Sequence, residues 1–167
     1  MMTLTQSRIS DVHQLNREFL ALCNDPIAAE ALGVEPAFCE SLAKSDPMAL
    51  ERAACTDVLL FKINDAVADV PMGSLPEKVS SFLQKLSITV RDVASQDPVL
   101  AVSHYGIKIE KCNDLIKMPV MAALNYFQHG KQRFSAINTT KFCILTGLDV
   151  QAERTQFLTL AANDDHH

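Results

Sequence analysis

The sequence has no tryptophan, two tyrosines and only five glycines among its 167 residues. So few glycines weigh against a loop-rich enzyme scaffold, and no glycine-rich phosphate loop, nucleophile elbow or metallohydrolase motif occurs. The five cysteines form no C-x-x-C pair, so neither a zinc ribbon nor a redox motif is indicated. Their apolar neighbours are typical of reduced core cysteines. We therefore expect no enzymatic activity, no cofactor and no metal site.

Long apolar runs are also missing. No stretch approaches the roughly 20 apolar residues that a membrane-spanning helix needs. Residues 1–11 are polar and lack the apolar run of a signal peptide. Hydrophobic residues make up 48% of the chain, which is enough for a core, and the net charge is -5. These features predict a cytoplasmic globular protein without a membrane span.

The most informative feature is a stretch that occurs twice. Residues 32–61 align with residues 105–134 at an offset of 73 without a gap, and the Asp-Pro step before each copy recurs. An internal repeat changes the whole fold prediction. Two copies are too few for a solenoid and favour two small modules related by a pseudo-twofold axis. The alternative is that two helical segments share only a hydrophobic pattern. Seven of the 30 aligned pairs are identical, and in the first copy they are Gly33, Cys39, Leu42, Lys44, Met48, Ala49 and Phe61.

The apolar periodicity predicts an all-α protein with short extended segments, built as a tandem duplicated helix-turn-helix-like module. We place the first copy at residues 10–73 and the second copy, with a C-terminal helix, at residues 97–163. A connecting helix at 74–96 has apolar residues on more than one face, which predicts burial between the two copies.

Each copy contains a helix, a short break and a second helix. In the first copy the break is Ser45-Asp46-Pro47, and in the second copy it is Met118-Pro119. This pattern is the general signal for a helix-turn-helix, in which one helix contacts DNA. Plain helical packing explains the same pattern.

The two copies differ in charge. Residues 28–64 contain six acids and three bases, whereas residues 101–145 contain six bases and two acids. Clustered lysines and arginines bind phosphate by releasing counterions, although an ordinary solvated face has the same composition. The acidic copy suits a protein partner instead. The candidate DNA-binding residues are Lys108, Lys111, Lys117, Lys131, Arg133 and Lys141.

Apolar helix positions suggest a second kind of site. Leu15 and Phe19 in the first helix, and Phe82 and Leu86 in the connecting helix, are candidates for partner binding. With the negative net charge, they support an alternative function. The chain would then be a protein-interaction module without DNA contact, such as an anti-activator or an assembly adaptor.

The first copy resembles the FlhD family. The resemblance is carried by Leu32-Gly-Val34, by the segments 38–45 and 48–53, and by the extended segment 59–63. FlhD is a subunit of the bacterial FlhD/FlhC activator of flagellar genes, and relatives occur on conjugative elements. The resemblance implies a helical transcriptional regulator that contacts promoter DNA weakly itself. It would act with an FlhC-like zinc protein that makes much of the DNA contact.

Two departures from the family pattern matter. Family members are single copies that dimerise, whereas this chain carries both copies. The resemblance therefore implies either a homodimer or an intramolecular pseudo-dimer. Family members can also carry a cysteine just before the phenylalanine that links two subunits. Here Leu59 and Leu60 precede Phe61, so that crosslink is absent.

Overall fold

The protein is described by a computed structural model, which covers residues 6–64, 74–129, 133–137 and 141–142. In these ranges it is mainly helical, which confirms the predicted all-α class. The described residues form nine helices and two strands, in the order α1 Gln6–Cys23, α2 Pro26–Leu32, α3 Pro36–Ala43, α4 Pro47–Ala54, β1 Phe61–Asn64, α5 Glu77–Gln96, α6 Pro98–Tyr105, α7 Ile109–Lys117, α8 Val120–Leu124, α9 Tyr126–His129 and β2 Arg133–Ala136. The predicted C-terminal helix lies outside these ranges. Within them, no helix has the length and apolar character that crossing a membrane requires.

Aspartate-proline steps start three of the helices. Asp25, Asp46 and Asp97 each accept a hydrogen bond from a backbone N–H of the first turn, and the following proline occupies the first helical position. Such a side-chain cap satisfies amide groups that have no partner inside the helix. Glycine ends two helices at corresponding places: Gly33 has φ 71° and Gly106 has φ 73°. Glycine adopts this left-handed conformation without a steric penalty, which explains why both helices end at a glycine.

Helix α5 is the central helix of the core. It packs against α1 and α2 of the first half and against α6, α7, α8 and α9 of the second. Its buried residues recur at helical spacing along one stripe, from Val79 through Leu86 to Ala94, while Ser81, Lys85 and Asp92 on the opposite side are exposed. The helix is therefore not buried on two opposite faces, contrary to the prediction from its apolar residues.

Four phenylalanines from both halves meet beside α5. The ring centroids of Phe19 and Phe61 are 4.7 Å apart, and those of Phe61 and Phe134 are 5.9 Å apart. The ring centroid of Phe82 in α5 lies 5.6 Å from that of Phe61. One core therefore joins both halves.

The two strands pair in the register that a pseudo-twofold axis requires. Strands β1 and β2 are antiparallel, with Lys62 opposite Ser135. These two positions differ by 73 residues, the offset found in the sequence. On either side of them, Phe61 pairs with Ala136 and Ile63 pairs with Phe134. Exchanging the two copies would leave this pairing pattern unchanged.

Helix α5 also occupies the place in the second half that α1 occupies in the first. Six of the seven buried positions of α1 fall on buried positions of α5 at an offset of 71 residues, among them Leu15 on Leu86 and the buried polar Asn16 on Ser87. The seventh, Leu20, falls on the half-buried Arg91. The order of helices followed by a strand thus runs twice, and α5 begins the second run. Sequence analysis gave this helix only a connecting role. A duplication of the sequence itself stays a prediction.

Candidate functional site

One arginine of α5 forms hydrogen bonds to the basic helix pair α7–α8. Only Met118 and Pro119 separate the two helices. Arg91 of α5 donates from Nε to the carbonyl oxygen of Leu115 at 3.1 Å and from Nη2 to that of Met118 at 3.0 Å. A cation at the end of a helix satisfies its last carbonyls and interacts favourably with its dipole. Arg91 thereby fixes the bend between α7 and α8. Sequence analysis missed it, because an arginine within an amphipathic helix gives no local signal.

Three predicted DNA-binding lysines lie on or next to α7. Lys108 is the exposed N-cap residue, Lys111 is half-buried in the first turn, and Lys117 is the exposed last residue of the helix. Nine helical residues span about 13 Å, so the helix separates Lys108 and Lys117 by roughly two spacings of adjacent phosphates. Lysine at a helix N-terminus opposes the dipole, so helix stability does not explain Lys108.

The structure describes the other three predicted DNA-binding residues in less detail. Lys141 is half-buried next to Phe142, a core residue. The backbone of Arg133 belongs to β2 and pairs with Asn64, and its side chain lies outside the description. Lys131 lies outside the described residues. The structure therefore groups only the α7 lysines on one element.

The corresponding helix pair of the first half, α3–α4, carries opposite charge. Glu35 is the N-cap residue of α3, where α7 has Lys108. Glu40, Asp46 and Glu51 are exposed on the same helix pair. Arg17 of α1 hydrogen-bonds Glu51 and thereby lowers the pKa of that carboxyl. The charge difference predicted between the copies is thus present on exposed side chains.

The four residues predicted to bind a partner lie in the core. Leu15, Phe19, Phe82 and Leu86 are each no more than 3% exposed. A partner would reach these side chains only if the core opened. These side chains lie on the faces through which α1 and α5 pack against each other, so they hold helices of the same chain together.

Exposed apolar side chains lie elsewhere, at the starts of four helices. Met48 of α4 is 71% exposed and Met121 of α8 is 72% exposed, and each is the second residue of its helix. Ile27 of α2 and Val99 of α6 are 70% and 71% exposed, also at second positions. Sequence analysis quoted the Met48 and Met121 identity but did not assign it to a surface. The only sign of this surface in the sequence is that methionine occurs at the same position in both copies, although the position is not buried.

The described ranges contain no cluster of side chains suited to hold a metal ion. No group of three or more His, Cys, Asp or Glu side chains there is placed to hold a metal ion. Cys23, Cys39 and Cys112 are free thiols, and burial raises the pKa of Cys23 and Cys112. Raised thiol pKa values disfavour the reactive thiolate.

A cleft of about 470 Å³ lies between α1, α5 and Leu124 of α8. Its size is within the range of small-molecule sites. Polar side chains, including Gln14, Gln84 and Lys85, line it. Lys85 pairs with Glu18 across the two helices. The Thr89 hydroxyl in its lining donates to the backbone carbonyl oxygen of Lys85, and we assign no reaction to this cleft.

The half-buried side chain of His104 is expected to make the stability of the fold depend on pH in the acid range. Burial, reinforced by the nearby Lys62 charge, lowers the pKa of His104 to about 4, whereas Asp57 acts in the opposite direction. The buried Nε2 atom of His104 has no hydrogen-bond partner among the described residues. In the unfolded chain the imidazole titrates near its ordinary pKa of 6.5. The unfolded state therefore binds more protons between these two values.

We accordingly expect stability to be complete above pH 6.5 and to fall as the pH drops from 6.5 towards 4. The loss attributable to His104 is about 3 kcal/mol at the acid end. Urea unfolding at a series of pH values measures it. The variant His104→Gln removes the titrating group and should flatten this part of the profile. An equally steep profile in the variant would show that other groups cause the acid sensitivity.

Comparisons of the chain with protein-family models, curated proteins and solved structures find no match.

Proposed function

We propose that this chain is a transcriptional regulator of the FlhD type, which contacts promoter DNA weakly through α7 and acts in the cytoplasm with an FlhC-like protein partner. One observation carries the proposal. Lys108, Lys111 and Lys117 lie on a helix-break-helix element whose bend is held by Arg91, while the corresponding element of the first half is acidic. A basic element on an otherwise acidic chain favours phosphate as its ligand.

The same helix explains why DNA contact would be weak without a partner. Glu110 and Asp114 are exposed on α7 and offset part of the lysine charge. Helix α8 begins with Val120 and Met121, which offer no hydrogen bonds to base edges. The lysines would position the protein on the phosphate backbone, and sequence reading would come from the partner.

The test is a DNA-binding titration with a triple variant. Lys108→Ala, Lys111→Ala and Lys117→Ala together should weaken binding to promoter DNA by about tenfold or more at low salt. The slope of log K against log salt should become shallower by roughly 2 to 3, because about 0.9 counterion is released per phosphate contact. Electrophoretic shift or fluorescence anisotropy at several salt concentrations measures both quantities.

Lys44 provides a matched control. It is exposed and corresponds to Lys117 at the repeat offset, but it lies on the acidic element. Lys44→Ala should leave affinity and salt slope unchanged, while Lys117→Ala alone should lower the slope by about 1. Equal effects of the two single variants, or no effect of the triple variant, would remove α7 from the DNA interface.

A second candidate function is a protein-interaction module without DNA contact. It is favoured by the exposure of Met48 and Met121, because methionine suits adaptable protein-binding surfaces. This function predicts no DNA shift at any salt concentration. It also predicts that Met48→Lys or Met121→Lys abolishes capture of a purified partner, whereas the lysine variants of α7 do not.

A further inference from the structure

Exposed apolar side chains occur at matching positions in the two halves. Met48 and Met121 are related by the repeat offset of 73, and Ile27 and Val99 each directly follow an Asp-Pro step. All four are at least 70% exposed. Exposed large apolar side chains are individually common, but an exposed methionine that recurs at the starts of α4 and α8 marks equivalent surface positions in the two halves.

The charges around the two methionines differ. We define the acidic face as Glu35, Glu40, Asp46, Met48 and Glu51 on α3–α4. The corresponding positions at the repeat offset are Lys108, Asn113, Pro119, Met121 and Leu124.

We define the basic face as Lys108, Lys117, Val120 and Met121 on α7–α8. Helix α7 also carries the exposed Glu110 and Asp114, so three lysines against two acids leave α7–α8 with a net charge of +1. On α3–α4, four acids against Lys44 and Arg52 leave a net charge of -2. The apolar centre is thus kept while the surrounding charge changes sign, most directly where Glu35 is replaced by Lys108.

We infer that the acidic face of one chain binds the basic face of a second copy of the same chain. Charge complementarity selects this occupant. Two acidic faces would repel each other, and so would two basic faces, whereas the mixed contact places Met48 against Met121 and lysines against carboxylates. The contact joins two different faces. Two chains can form a closed dimer in which each acidic face binds the other chain's basic face, or further chains can add to form a longer assembly. This inference goes beyond the proposed DNA contact and does not depend on it.

The contact has an electrostatic part and an apolar part, and both are testable. Exposed charges are screened beyond about 10 Å at 0.1 M salt. Association of the full chain should therefore be stronger at about 20 mM salt than at about 300 mM. Sedimentation velocity over a concentration series measures it without a label.

Two single variants locate the surfaces. Met48→Lys and Met121→Glu should each shift the association constant by about tenfold or more towards the monomer, because each places at the apolar centre a charge that the opposite face repels. A 1:1 mixture of the two variants should recover a two-chain species. One chain still offers an intact basic face, and the other still offers an intact acidic face. Charge reversal gives a second check: Glu40→Lys or Lys117→Glu alone should weaken association, and the double variant should restore part of it.

Ile27→Lys serves as the matched control, since this side chain is equally exposed but belongs to neither face. It should associate like the unaltered chain, and circular dichroism should show that all variants fold. The inference is overturned if the unaltered chain stays monomeric at low salt. It is also overturned if either methionine variant associates normally, or if the mixture of variants stays monomeric. The promoter shift of the Lys44 and Lys117 variants is measured separately, so failure of one proposal leaves the other standing.

Discussion

Replacing Asn16 by alanine should cost about 3–6 kcal/mol of unfolding free energy, because a buried backbone group that loses its partner costs about 1–3 kcal/mol. Asn16 is fully buried in α1 and bonds three backbone groups, one in the last residue of α4 and two in the segment that follows α4. Its Nδ2 donates to the carbonyl oxygens of Ala54 at 3.2 Å and Val58 at 2.9 Å, and its Oδ1 accepts from Leu60 N at 2.9 Å. The segment leading into β1 would lose its attachment to α1.

Ser87 is the control that the chain itself provides. It holds the equivalent buried position on α5, but its hydroxyl donates to Leu83 O of its own helix. Ser87→Ala should therefore cost less than about 1 kcal/mol, since the helix already satisfies that carbonyl. Urea unfolding followed by circular dichroism compares the two variants. Similar losses for both would show that Asn16 acts by filling space and not by anchoring the segment.

Replacing Phe19 by alanine should have a comparable effect, about 3–5 kcal/mol. Phe19 is fully buried, and its ring centroid lies 4.7 Å from that of Phe61, 6.1 Å from Phe38 and 6.4 Å from Phe82. Truncation removes apolar contacts and leaves a cavity, because three aromatic neighbours on different elements cannot all move inward. Since natural domains are stable by about 5–15 kcal/mol, this loss would remove between about a fifth and all of the unfolding free energy.

Thermal and urea unfolding of Phe19→Ala, Phe19→Leu and Ile27→Ala measure this. The leucine variant should fall between the alanine variant and the unaltered chain. Ile27 is exposed, so its truncation should change the free energy by about 0.5 kcal/mol or less. A loss below about 1 kcal/mol for Phe19→Ala would contradict the packing described here.

The sequence predicts the helices well because their boundaries depend on local chemistry. Aspartate-proline starts and the two glycine ends act within one turn of the chain, and each is found where expected. The candidate surfaces depend on tertiary contacts and are predicted less well. An apolar stripe that contains Phe19 and Phe82 identifies a buried face, but not whether another chain or the same chain covers it.

Two tertiary features gave no usable signal. Arg91 donates hydrogen bonds to backbone carbonyls 24 and 27 residues away, and the periodicity of the sequence does not predict such long-range bonds. The equivalence of α1 and α5 is also hidden from residue identity, because only the burial pattern repeats, with Asn16 bonding a distant segment and Ser87 its own helix. Both features become visible only when the helices are packed.

The pairing of β1 with β2 has a consequence for how the chain folds. Phe61 and its strand partner Ala136 are separated by 75 residues. Contacts this distant in sequence carry a large loop-closure cost and slow folding. At roughly 5–20 residues per second, the ribosome needs about 4–15 s to complete the second strand after the first has been made.

During that interval β1 has an open edge and Phe61 lacks the Phe134 ring against which it packs. Unpaired strand edges promote association between chains. We therefore expect nascent chains that end before residue 133 to aggregate or to require chaperones, and the two halves to gain their stability together, late in synthesis.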